Sequence, residues 1–224
     1  VFDAEASTGW EVLPTLPALI WLVMNPPGGG RDLSFLSDCP SLTGVFLQDC
    51  NALSDLSALV SVSRLGTVGL WKAKHLRDLH ALTELPNLKL LDIRDAPLAA
   101  GLAAVTPILD RLEKLRVFSV PTVTSLGALA GSSLVDLTLS DCPVADLEPL
   151  ATLQSLTEVW LLDLPAVNLA PLATLPHLRE LHLTRIEEPV DLSPLTRTRH
   201  RLHVELWNTS TVGTAGPLVK IRRY

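Results

Sequence analysis

Cysteine is scarce in this chain: three in 224 residues, an odd number and too few to frame a disulfide-stapled fold. That usage points to a reducing, cytoplasmic compartment. Aromatic residues make up only 4% of the chain, so the apolar 47% has to come from aliphatic side chains. Basic residues are outnumbered, 18 Lys and Arg against 24 Asp and Glu, for a net charge of −6. A surface that neutralises phosphates needs the opposite excess, so no nucleic-acid partner is expected. No apolar run approaches the ~18 residues of a membrane span, and no membrane partner is expected either.

What is abundant is leucine, and its spacing is regular. The hexad L-x-x-[LV]-x-[LVIM] occurs at Leu19/Leu22/Met24, Leu42/Val45/Leu47, Leu65/Val68/Leu70, Leu88/Leu91/Ile93, Leu115/Phe118/Val120, Leu134/Leu137/Leu139, Leu156/Val159/Leu161 and Leu178/Leu181/Leu183. A ninth copy, Arg201/Val204/Leu206, lacks the first leucine. The copies are separated by 23, 23, 23, 27, 19, 22, 22 and 23 residues, a period far longer than that of any helix or strand. Further apolar residues precede the hexads at steps of three, as in Leu56/Leu59/Val62 and Leu147/Leu150/Leu153.

This pattern over residues 10–208 resembles the leucine-rich repeat family, with units close to the 22-residue type of bacterial internalin-like proteins. The resemblance implies an α/β solenoid: a leucine-rich repeat horseshoe with a parallel concave β-sheet and 3₁₀ turns or short helices on the convex side. About nine repeats fill residues 1–208, and residues 209–224 are expected to be a C-terminal cap or tail. Trp10, Leu13, Leu16 and Leu19 follow the convex spacing, with Trp10 placed in the core. Phe2 falls where the last strand residue of an earlier turn would lie, so the chain is expected to begin inside a repeat.

Asp32, Asp55, Asp78, Ser125, Asp146, Asn168 and Asp191 precede the convex turns and are residue types that cap free N–H groups. Two irregularities stand out. An insertion around residues 96–115 predicts an α-helix with Thr106 as N-cap and Pro107 as its first residue. The next turn is short, which predicts a local change of curvature near residues 121–134.

With the register in hand, Cys50 and Cys142 share one turn position with Ala73, Ala96, Val123, Leu164 and Ile186, and Cys39 joins the convex leucine column. All three are expected to be inert core thiols. The glycine-rich NPPGGGRD at 25–32 lacks the Gly-Lys-Ser/Thr ending of a phosphate-binding loop.

The chemistry-bearing residues lie on the outward positions of the strands, because side chains alternate there. Trp21, Phe46, Trp71, Asp92, Asp136, Glu158, Trp160, Glu180, His182, His203, Glu205 and Trp207 are the candidate ligand-binding residues. Large rings that a fold does not need on a water-facing surface suggest binding. Asp136, Glu158 and Glu180 form a ladder of like charges that a basic partner surface would relieve. With His182, His203 and Glu205 they imitate a metal set, which would need rigid strands and suitable rotamers. No metal and no cofactor is expected, and no catalytic pair is placed by the register.

The reading is a non-catalytic recognition module for a macromolecular, protein ligand on the concave face. Its leucine-, alanine- and arginine-rich repeat style and Cys-or-aliphatic turns resemble the C-terminal region of bacterial NACHT-type, NLR-like NTPases. That resemblance implies a ligand sensor in antiviral defence, a form of innate immunity, joined to upstream domains of the same polypeptide that would hold any NTPase activity. The alternatives are a secreted or surface internalin-like adhesion protein and the substrate-recruiting arm of a larger enzyme.

Overall fold

The computed structural model describes residues 2–4, 10–16, 18–144 and 146–224. The chain divides into two compact units, residues 1–100 and 101–224. The first unit carries parallel strands β1 (Phe2–Ala4), β2 (Trp21–Met24), β3 (Gly44–Leu47), β4 (Thr67–Trp71) and β5 (Leu90–Arg94), each paired with the next in sequence. In the second unit β6 (Lys114–Phe118), β7 (Asp136–Ser140), β8 (Glu158–Leu162) and β9 (Glu180–Thr184) pair in the same way. There β10 (Val190–Asp191) and β12 (Thr211–Val212) form a separate two-stranded ribbon. The main sheet continues from β9 to β11 (Leu202–Trp207) and then to β13 (Val219–Arg223).

The spacing of three explains the convex side. A 3₁₀ helix has three residues per turn, so leucines at every third position line one edge, whereas in an α-helix they would drift around the axis. The i→i+3 bonds follow the leucines themselves: Leu59 N–H to Leu56 O, Val62 to Leu59 and Leu65 to Val62, at 2.9–3.1 Å. Such turns run over Ser34–Asp38, Ser57–Ser61 and His80–Glu84 in the first unit. In the second they run over Gly127–Leu129, Glu148–Thr152, Leu172–Thr174 and Ser193–Arg197. All seven expected capping residues accept the backbone N–H two residues on, at 2.8–3.2 Å.

Inside each turn the hexad leucines and the convex leucines are buried together, and fully burying one contributes about 1.5–3 kcal/mol. Cys39, Cys50 and Cys142 are buried free thiols in this core. Burial pushes the Cys50 thiol up to about 12 and raises Cys142 as well. The core placement expected for Trp10 lies outside the described side chains.

Three expectations are corrected. Residues 101–108 form a 3₁₀ helix with Pro107 inside it, so Thr106 and Pro107 do not open an α-helix, and no α-helix occurs among the described residues. The fifth hexad is Leu112/Leu115/Val117, because β6 pairs Leu115 with Leu137 and Val117 with Leu139. The leucine column repeats every three residues, which let the frame Leu115/Phe118/Val120 pass for the hexad. From Leu88 to Leu112 is 24 residues and from Leu112 to Leu134 is 22. The long and short turns disappear, along with the reason for a change of curvature, and Val120 rather than Val123 shares the turn position of Cys142. Lastly, Phe2 pairs with Leu22, the middle hexad position and not the last.

The corrected frame is supported by an independent signature. Two residues after the last hexad position the backbone turns left-handed in every repeat but the first, where Pro26 has φ −69°: Asp49, Lys72 and Asp95 in one unit, Ser119, Asp141, Asp163, Arg185 and Asn208 in the other, with φ of 46–57°. Four of these eight are aspartate and one is asparagine, the side chains that tolerate this region best.

Candidate functional site

In the first unit the outward strand faces carry an aromatic strip that glycines make possible. Trp21 stands beside Gly44 in register, and Phe46 beside Gly69. A Cβ on Gly44 would meet the Trp21 ring at 2.3 Å, and one on Gly69 would meet Phe46 at 2.0 Å. The rings therefore lie flat across the neighbouring strand where any other residue would lift them off. Trp21 and Phe46 are 5.7 Å apart between centroids, and Phe46 meets Trp71 edge-on at 5.9 Å. Arg94 extends the strip, with its guanidinium carbon 4.3 Å from the Trp71 ring centroid.

Asp92 holds this strip from beneath. Its carboxylate accepts Trp71 Nε1–H at 3.1 Å and a two-pronged bond from Nε and Nη2 of Arg94, both at 2.8 Å. It is fully buried. Asp92 thus positions Trp71 and Arg94 and presents no carboxylate to solvent.

In the second unit the acidic ladder is present but not bare. The register runs Lys114, Asp136, Glu158, Glu180, His203, Lys220 across neighbouring strands, so bases flank the three acids on both sides. Asp136 is buried, with Lys114 Nζ at 3.4 Å and Arg116 Nη2 at 3.5 Å. The relief that the ladder was expected to need from a partner comes, for Asp136, from within the fold. Lys114 and Arg116 were missed because the slipped frame placed Val117 and Ser119 on the outward positions.

Glu158 accepts the Trp160 Nε1–H at 2.6 Å, and the Trp160 ring stacks on His182 at 3.6 Å and 7°. His182 is 6% exposed. Its Nδ1 lies 3.2 Å from Glu205 Oε2 and its Nε2 3.5 Å from Glu180 Oε2. Glu205 also has Arg222 Nη1 at 3.9 Å. Trp207 stacks on Tyr224 at 4.0 Å and 13° and remains 42% exposed.

Residues 219–224 thus extend both the sheet and its outward face, with Val219 and Ile221 half-buried opposite Leu202 and Val204. The alternation of Val219 and Ile221 with Lys220 and Arg222 was the available signal, and it has period two, outside the leucine step of three. Trp21, Phe46, Trp71, Glu158, Trp160, His203 and Glu205 are half-exposed, and Glu180 and Trp207 are exposed. Ring faces, carboxylates and guanidinium groups on a rigid strand surface suit non-covalent recognition.

No family model matches the chain, and no curated protein does. Among solved structures it is similar to TLR13 in its complex with ssRNA13, at 19% identity and TM-score 0.64, over 92% of this chain and 30% of that one. It is similar to an internalin, InlF, of Listeria monocytogenes at 19% identity and TM-score 0.56, over 89% of this chain and 66% of that one. It is also similar to a leucine-rich repeat protein of Leptospira interrogans at 14% identity and TM-score 0.50, over 95% and 58%. The chain therefore spans about two thirds or less of each of these neighbours. Among the described residues no helix is long and apolar enough to cross a membrane. The likeness at these identities is one of architecture: the chain is folded as a leucine-rich repeat solenoid.

Proposed function

We propose that this chain is a non-catalytic recognition module that binds a protein ligand on the outward faces of its parallel strands. The observation that carries this reading is the set of partly exposed rings on those faces, Trp21, Phe46 and Trp71 in one unit, Trp160 and Trp207 in the other. Exposed aromatic anchors beside charged groups are the composition of binding hot spots. The net charge of −6 favours a protein ligand over a nucleic acid.

We further propose that the module is the ligand-sensing region of an NLR-like defence NTPase, acting in the cytoplasm and joined to upstream domains. Two features support this. The turn position holds Cys50, Ala73 and Ala96 in one unit and Val120, Cys142, Leu164 and Ile186 in the other, all buried, where an internalin-like asparagine ladder would place amides. The three buried cysteines are free thiols, as suits a reducing compartment.

Replacing Trp160 and Trp207 by alanine together tests the recognition surface. The expected result is loss of ligand-dependent activation in the full-length protein, with an unchanged circular dichroism spectrum. Activation equal to wild type in the folded double variant sinks the reading for this end of the chain. An open reading frame with no nucleotide-binding motif upstream of residue 1 would remove the NTPase assignment alone.

A further inference from the structure

We propose that Glu158, Glu180 and His182 form a binding site for a divalent first-row transition ion, of which Zn²⁺ is the representative. One carboxylate oxygen from each glutamate and a ring nitrogen of His182 lie within 4.8 Å of one another. Two of the three are already at ligand spacing. Bonds of 2.0–2.2 Å in a tetrahedron separate ligand atoms by about 3.3–3.5 Å, and His182 Nε2 stands 3.5 Å from Glu180 Oε2. The Glu180 side chain is 55% exposed and free to swing, so closing the set requires a rotamer change and no movement of the strands.

The histidine separates this cluster from an ordinary patch of surface acids. His182 is more than nine-tenths buried, and neither ring nitrogen makes a hydrogen bond of adequate geometry. A buried imidazole left in that state costs free energy unless something completes it. Its neighbours include the kind of carboxylate that orients a metal-bound histidine. Nδ1 lies 3.2 Å from the Glu205 carboxylate, which would hold the outer ring N–H of a ligating histidine, and Nε2 is on the side of Glu180, at 3.5 Å. Trp160 fixes the remaining freedom, stacking on the ring while its Nε1–H holds one oxygen of Glu158. The other Glu158 oxygen is left to coordinate.

Register supplies the rigidity. Glu158 pairs with Glu180 and Trp160 with His182 across β8 and β9, and Glu205 pairs with His182 across β9 and β11. One imidazole and two carboxylates suit Zn²⁺ and its first-row neighbours. Ca²⁺ takes six to eight oxygen ligands, and Mg²⁺ holds its octahedral water shell. Three protein ligands leave at least one position to water.

Titrating the purified chain with Co²⁺ tests the site, because a low-coordinate cobalt centre absorbs strongly in the visible. One Co²⁺ per chain with such a band, displaced by stoichiometric Zn²⁺, is expected. The Glu180→Gln variant, altered at an exposed side chain, should fold normally and lose the band. Glu205→Gln should weaken affinity about 10–100-fold, the usual effect of removing a partner of a ligating histidine. His177→Gln, which changes an exposed histidine outside the cluster, should bind as wild type. Uptake unaffected by Glu180→Gln, or no band in the wild type at millimolar Co²⁺, overturns the proposal. Either outcome leaves the recognition reading standing, since that reading is measured on ligand response.

Discussion

Replacing Asp92 by alanine tests whether the aromatic strip of the first unit is held from beneath. The carboxylate is 1% exposed and accepts three N–H groups, one from Trp71 and two from Arg94. Hydrogen bonds to a charged group contribute about 1.5–3 kcal/mol each when well protected. The Arg94 side chain is 33% exposed, however, so water replaces much of what it loses. Its two bonds together then fall near the ~1 kcal/mol of a partly exposed pair. Leaving the half-buried Trp71 N–H without an acceptor adds about 1–3 kcal/mol. The expected loss for Asp92→Ala is therefore about 2–4 kcal/mol. Asp92→Asn should lose about half of that, because an amide oxygen still accepts from Trp71. Urea unfolding followed by circular dichroism gives these values from midpoints at constant slope. A double-mutant cycle with Arg94→Ala should return a coupling of about 1–2 kcal/mol. An Asp92→Ala loss below about 1 kcal/mol, or a coupling below about 0.5, would refute the account of Asp92 as the support of Trp71 and Arg94.

Gly69→Ala places a methyl 2.0 Å from Phe46 Cδ1, so the ring must leave the strand. Overpacking of about 1–3 kcal/mol, partly offset by the ~0.5–1 kcal/mol that alanine gains in the unfolded chain, predicts a net loss of about 0.5–2 kcal/mol. A variant as stable as wild type would show that Phe46 does not rest on Gly69. The thiols of Cys50 and Cys142, raised by burial, should react with a disulfide reagent only after unfolding. Stoichiometric labelling of either within minutes in native buffer at pH 8 contradicts their core placement. Hydrogen bonds from Arg185 hold the Asp163 carboxyl below its usual range. That stabilisation is complete above the unfolded value near 3.9 and is lost as pH falls through the lower folded value. Arg185→Ala should flatten the acid limb of the melting-temperature profile slightly between about pH 5 and 2, water screening most of so exposed a pair. Identical limbs in the two proteins would exclude the contribution.

The architecture was legible because two periods coexist in the chain and each has one structural solution. A step of three selects the 3₁₀ turn, and a step of about 22 stacks one turn on the next. The capping residues were legible for the same reason, since Asp32, Asp55, Asp78 and their counterparts recur in phase with the leucines. The framing error in the fifth repeat arose where those periods conflict. Around Leu109, Leu112 and Leu115 the step of three continues into the strand, so a three-residue slip leaves the leucines looking correct. The left-handed turn position resolves such a slip, because it depends on backbone conformation and not on apolarity. Ser119 occupies it here, and serine carries too little of the Asp/Asn signature to reveal the frame.

The outward face shows where a repeat pattern stops being informative. Register placed Trp160 beside His182 and Asp136 beside Glu158, but it is silent on whether such neighbours repel, pair or stack. That depends on residues outside any period: Lys114 and Arg116 beside Asp136, Arg94 beside Asp92, Tyr224 on Trp207. Three of the twelve candidate residues are buried although they stand on outward positions, Asp92 and Asp136 beside these neighbours and His182 beneath the Trp160 ring. They cannot be the groups a ligand touches first. What they do instead is fix the side chains above and beside them, so a partner would meet rings and charges whose rotamers are already set. A surface of that kind loses less conformational entropy on binding than one of free side chains. Substitutions at the buried three should therefore weaken binding by loosening Trp71 and Arg94, Lys114 and Arg116, and Trp160 respectively, even though none of the three need touch the ligand.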